Sequence, residues 1–219
     1  MTEINTQTQI LQAAETYAMN KLAGETSGHD WWHIKRVTES ARSIAQEEGA
    51  DPFICVLAAL LHDLADEKVC GNGAEGLAEI TRWMGENGVP EAGREHVVEI
   101  VSTMSFKGGG RPPMRTREGM VVQDADRLDA IGAMGIARVF VYSGAKGRPV
   151  HDPGLKAREA MSLEEYRSGR DTAVNHFYEK LLKLKELMNT EAGKRRAEGR
   201  HRFMEQYLEQ FYGEWDGRL

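Results

Sequence analysis

The sequence predicts an all-α fold, and three observations lead there. Apolar residues recur every three to four positions along most of the 219 residues. No alternating apolar–polar run reaches strand length. Glycine and proline collect in a few stretches between the periodic segments, chiefly SFKGGGRPP (105–113) and YSGAKGRPVHDPG (142–154). This length suits one domain. The expectation is a single-domain helical bundle over residues 1–219, with residues 142–171 as a surface excursion or lid.

The elements follow in order. Ile10, Leu11, Ala14, Tyr17, Ala18 and Leu22 form the apolar stripe of a first helix that stops near Gly24. Asp30 is an N-cap candidate for a second helix with the stripe Ile34, Val37, Ala41, Ile44 and Ala45. Gly49 and Asp51-Pro52 mark a stop and a restart, with proline at the first helical position. Phe53–Leu64 is apolar on all sides, as suits a helix buried in the middle of a bundle. Further helices are expected at about 75–87, 91–105, 117–140, 172–189 and 191–212. The run Gly132-Ala133-Met134-Gly135 reads as close packing rather than phosphate binding.

Composition narrows the function. Acids outnumber bases 34 to 28, a net charge of −6, which disfavours a nucleic-acid polymer as partner. Two cysteines, Cys55 and Cys70, do not make a disulfide framework, and Cys55 reads as a core residue. The N-terminal segment MTEINTQTQI has no signal-peptide pattern, and the apolar run Phe53–Leu61 is too short to span a membrane. The expectation is a cytoplasmic protein.

The chemistry centres on ionisable residues at the end of the most apolar helix. His62 and Asp63 follow Ala58-Ala59-Leu60-Leu61 and precede Leu64. An unpaired carboxylate there would cost several kcal/mol, so such groups are paired or hold a metal. The plain alternative is an aspartate capping the next segment and a histidine bonded to a carbonyl. His33 lies on the inner side of the second helix, and Asp124, Asp126 and Asp129 crowd a later one. Two imidazoles and two carboxylates from three helices suit one divalent cation with positions left open for water.

The pattern His33 … His62-Asp63 … Asp126 resembles the H…HD…D signature of the HD-domain metal-dependent phosphohydrolases. The flanking words SGHDWWHIKRV, ALLHDLAD, SFKGGG and VQDADRLDAIGAMGIAR, and a C-terminal segment beginning HFYEKLL, are similar to the small bacterial YedJ/YpgQ-type subgroup. The resemblance runs over nearly the whole chain. It implies an HD-type helical bundle, a divalent cation, and hydrolysis of a phosphoester or phosphoanhydride in a small substrate, a nucleotide first among them. Carried over position by position, it implies His33, His62, Asp63 and Asp126 as metal ligands. Asp126 is favoured over Asp124 for its ADRL context, although periodicity alone leaves both open. Mn²⁺ is the favoured ion, with Mg²⁺, Fe²⁺, Co²⁺ or Ni²⁺ as alternatives.

Two carboxylates offset the charge of a divalent cation, so a phosphate chain needs further positive groups. Lys35, Arg36, Lys107 and Arg127 are the substrate-binding candidates, Lys107 because three glycines follow it. Asp63, Asp66 and Glu67 are the candidates for taking a proton from water. His151-Asp152 is a second His-Asp pair, but in a Gly/Pro loop, with at most a substrate role. The aromatic stripe of the C-terminal helix suits packing on the core or on a second subunit alike, so a homodimer is compatible with the sequence. Two other readings are a diiron HD oxygenase and a non-catalytic ligand-binding HD module. Two-metal HD proteins add two histidines between the HD pair and the last aspartate, whereas this chain has only His96 there. Metal-stripped protein reloaded with Mn²⁺ is therefore expected to hold one ion per chain by elemental analysis. Two tightly held irons with oxygen uptake would favour the oxygenase.

Overall fold

The computed structural model describes residues 3–24, 30–65, 72–104, 113–158 and 171–219. Among these the regular structure is entirely helical. The chain forms two compact units, Met1–Asp126 and Arg127–Leu219. No single described helix is long and apolar enough to cross a membrane.

The first unit holds α1 (Glu3–Lys21), α2 (Trp31–Glu48), α3 (Pro52–Leu61), α4 (Gly73–Glu86), α5 (Glu91–Thr103) and most of α6 (Arg117–Asp129). The Asp30 side chain caps α2 by accepting from the His33 N–H at 2.8 Å. Gly49 ends α2 with φ 65°, a left-handed value that glycine adopts without steric cost. Asp51 caps α3, accepting from the Phe53 and Ile54 amides, and Pro52 occupies its first turn. Helix α3 packs against α1, α2 and α5, so Phe53 through Leu61 are all buried. Cys55 is fully buried, and desolvation pushes its thiol up to about 12, as suits a packing residue rather than a reactive one.

The start of α6 is tied to the α2–α3 junction. The Glu118 carboxylate accepts from the Asp51 amide at 3.0 Å, and Arg117 donates to the Glu48 carbonyl at 3.0 Å. These bonds fix one end of α6 beside the N-terminus of α3. Eight residues on, Asp126 lies beside the C-terminal end of α3, within 3.9 Å of His62. The two helices therefore run in the same direction.

The second unit holds α7 (Gly132–Ala145), α8 (Ala173–Glu179), 3₁₀ turns at Leu181–Lys183 and Lys185–Leu187, and α9 (Glu191–Trp215). The single helix expected over 117–140 is instead two, because Gly132 takes φ 72° and breaks the α conformation while the apolar period runs on. A Cβ on Gly132 would meet Arg200, and one on Gly135 would meet the Ala130 backbone, so both glycines permit close packing. The helix expected over 172–189 shortens to α8 and the two turns. Leu181 and Leu184 are both buried three residues apart, a spacing that a 3₁₀ turn places on one side. Aromatic rings fill this unit: Phe177 stacks on Tyr207 at 5.9 Å, with Phe140 tilted against Phe177 and edge-on to Tyr207.

The described part of the expected excursion over 142–171 begins inside α7 and is fastened to α8. The Ala173 and Val174 amides donate to the Pro149 and Val150 carbonyls, and the Asn175 side chain donates to the Leu155 carbonyl. Arg158 makes three hydrogen bonds to the buried Glu179, from its amide and from two guanidinium nitrogens. Desolvation alone would raise the Glu179 pKa, but these contacts outweigh it and hold the carboxyl below its ordinary value. The pair therefore contributes fully above the unfolded carboxyl pKa of about 4.3 and fades as pH falls through the lower folded value. Arg158→Ala, which strands a buried charge, is expected to lower stability by about 3–5 kcal/mol at pH 7 in urea unfolding. The loss should shrink in acid.

Candidate metal centre

Three helical segments bring the ionisable residues together. His33 sits in the first turn of α2, whose cap orients that turn. His62 and Asp63 begin a 3₁₀ turn, His62–Ala65, that follows α3 directly. Asp126 comes from α6. His33, His62 and Asp63 are buried at 1%, 7% and 5% exposure, each offering a ligand atom within 4.8 Å of the others. The His33 Nε2 lies 3.4 Å from Asp63 Oδ2 and 3.4 Å from Asp126 Oδ1. The His62 Nε2 lies 3.3 Å from Asp63 Oδ1 and 3.9 Å from Asp126 Oδ1.

The protonation pattern is set from the far side of one ring. His62 Nδ1 is 2.8 Å from the Ala59 carbonyl, which can only accept, so Nδ1 carries a hydrogen. Nε2 is left as the atom facing the carboxylates. It is buried and has no hydrogen-bond partner. An imidazole nitrogen so placed calls for a positive species between it and the oxygens, and the donor set of two imidazoles and two carboxylates suits a divalent transition ion. The residues present thus fit a metal.

Asp126 has 35% of its side chain exposed. Crowding by its neighbours desolvates the carboxyl and raises its pKa. The His33 hydrogen bond and the two nearby imidazoles outweigh that and hold it at about 2. The anion is therefore the resting form of this group at neutral pH. Asp124 is fully buried two residues earlier in the same helix, and Asp129 pairs with Arg138.

The other candidate residues are distributed differently. Lys35 turns toward α1, 3.0 Å from Glu15 and 3.9 Å from Glu39. Arg36 is half-buried on α2. Arg127 donates to the Leu187 carbonyl within the second unit. Asp66, Glu67 and Lys107 lie outside the described residues. His151 packs edge-on against Phe211, Tyr212 and Trp215, nearest to Trp215 at 4.8 Å between centroids. One participant had no side-chain signal: the Ala59 carbonyl. It lies near the C-terminal end of α3, so a histidine three residues later was the available hint.

Comparison with known proteins bears on the same residues. A family model described as "HD domain" matches residues 31–131. The Bacillus subtilis (strain 168) protein YpgQ is 41% identical over 198 residues, 89% of this chain and 88% of YpgQ. This chain belongs to the HD-domain family. The matched span begins at the first turn of α2 and ends just after α6, so it holds all four residues of the HD cluster. Solved structures agree over nearly the full length. A Lactobacillus plantarum protein superposes with a TM-score of 0.85 at 42% identity, covering 95% of this chain and 97% of its own. YpgQ in complex with ADP gives 0.78 at 36% identity, covering 95% and 96%. A Bacillus thuringiensis protein described as an HD-superfamily hydrolase gives 0.76 at 44% identity, covering 96% and 99%.

A cation that binds only the folded HD site raises the unfolding free energy by about 2.7 kcal/mol at a hundredfold excess over Kd. Mn²⁺ is therefore expected to raise the Tm of the wild type and leave His62→Ala and Asp63→Asn unmoved in a thermal-unfolding assay.

Proposed function

We propose that this chain is a metal-dependent phosphohydrolase acting on a small phosphorylated substrate, most directly a nucleotide, by cleavage of a phosphoester or phosphoanhydride bond. The observation that carries the proposal is the buried triad of His33, His62 and Asp63, with the half-exposed Asp126 beside it and a His62 Nε2 that has no hydrogen-bond partner. The ADP complex of the similar protein YpgQ supports the nucleotide class.

In this reading His33, His62, Asp63 and Asp126 hold one divalent cation, with Mn²⁺ preferred for a mixed imidazole and carboxylate set. When bound, such a cation polarises a phosphoryl oxygen and lowers the pKa of coordinated water. The chain's own groups do the rest. The Ala59 carbonyl keeps the proton on His62 Nδ1 and so fixes which nitrogen faces the site. Asp63, Asp66 and Glu67 are the carboxylates assigned to take the proton of the attacking water, Asp66 lying four residues after His62. Lys35, Arg36, Lys107 and Arg127 are assigned to the phosphate chain, where positive charge offsets what develops in the transition state. Lys35 would exchange its Glu15 partner for the substrate. The whole chain, 1–219, acts as one HD domain in the cytoplasm. A homodimer is the proposed assembly, and a nucleic-acid polymer is not a proposed partner.

Metal-free protein incubated with Mn²⁺, Mg²⁺, Fe²⁺, Co²⁺ or Ni²⁺ and a panel of nucleoside mono-, di- and triphosphates tests this, with products separated by chromatography. Phosphate or pyrophosphate release dependent on added metal is expected, and His62→Ala or Asp63→Ala should lose it. Full activity in either variant after its metal is gone would sink the scheme.

A further inference from the structure

Trp32 is the residue of α2 whose placement the fold does not explain. It is 65% exposed, whereas its neighbour Trp31 is half-buried and His33 is buried. At about 100° per residue, Trp32 falls nearly opposite Ile34 and clear of the buried stripe of Ile34, Val37, Ala41 and Ile44. The rings described in the structure make no contact with it. An indole carries a large apolar face, and leaving it in water forgoes much of the stabilisation that burial would give.

Its position is not arbitrary with respect to the metal centre. Trp32 immediately precedes His33, whose Nε2 is 3.4 Å from both carboxylates of the cluster. Trp32 shares the first turn of α2 with His33 and stands about 100° round the helix axis from it. Helix dimensions place two adjacent side-chain tips about 9 Å apart, from an overall diameter of about 10–12 Å. That is a span a nucleoside bridges between its base and its phosphates.

We propose that Trp32 is a substrate-binding residue that stacks on the nucleobase while the phosphates lie at the His33, His62, Asp63 and Asp126 cluster. The inference rests on the nucleotide reading above and adds the element that separates a nucleotide from a bare polyphosphate. An exposed indole face suits any base, because every base has a π-face, so Trp32 contributes affinity with little base selectivity.

The test compares ADP with inorganic pyrophosphate, which shares the diphosphate and lacks the nucleoside, by calorimetric titration of the Mn²⁺-loaded protein. Trp32→Ala is expected to weaken ADP about tenfold and Trp32→Phe less than about threefold, with pyrophosphate changed less than about twofold, as the loss of one base–aromatic stack predicts. Unchanged ADP affinity in Trp32→Ala overturns the role, and so does an equal loss for ADP and pyrophosphate, which would mark a disturbed metal centre. Turnover on the nucleotide panel is read separately. Tenfold weaker ADP binding with no wild-type turnover would keep the stacking role and remove the proposed reaction. A wild type that neither binds ADP nor cleaves nucleotides overturns both.

Discussion

The hydrogen bond from His62 Nδ1 to the Ala59 carbonyl is the constraint on which the site depends. It uses a carbonyl near the C-terminal end of α3. In doing so it commits the opposite nitrogen to face two carboxylates in the interior. A histidine that merely satisfied a carbonyl would leave Nε2 in solvent or against a donor's proton. Here it points at Asp63 and Asp126, and only a positive species between them makes the arrangement favourable. The two readings weighed for His62 are thus two ends of one ring.

Around that bond the fold supplies rigidity from the far end. Helix α3 is buried along its whole length except at Pro52, and its start is held by the Asp51 cap and by Glu118 of α6. Because α3 and α6 are fastened there and run alongside each other, Asp126 arrives beside His62 without any direct bond needed to draw it in. The acidity of Asp126 reflects the same placement: the imidazoles that surround it outweigh its desolvation.

Much of this was legible locally. Asp30, Gly49 and Asp51-Pro52 announced the limits of α2 and α3, because caps and proline act within one turn. The all-apolar segment ending in His62-Asp63 announced a buried charge that needed a partner. What escaped was set by tertiary contact. The apolar period through Gly132 does not reveal that its φ is positive, and Leu181 and Leu184 fit an α-helix as well as a 3₁₀ turn. Lys35 sits two residues from His33 in sequence, yet its ammonium goes to Glu15 on another helix. Asp124 and Asp126 share a helix, and periodicity could not say which of them faced the histidines.

The adjacency of His62 and Asp63 at the end of α3 has a consequence for how this chain can vary. Ten helical residues, Pro52 to Leu61, separate the Asp51 cap from the pair. Adding or deleting one residue in that stretch would swing both side chains about 100° around the helix axis and shift them about 1.5 Å along it. Both would leave the cluster together. Substitutions that keep an apolar side chain can be absorbed by repacking, but the number of residues in α3 cannot drift. Its length works as a fixed gauge for the metal centre.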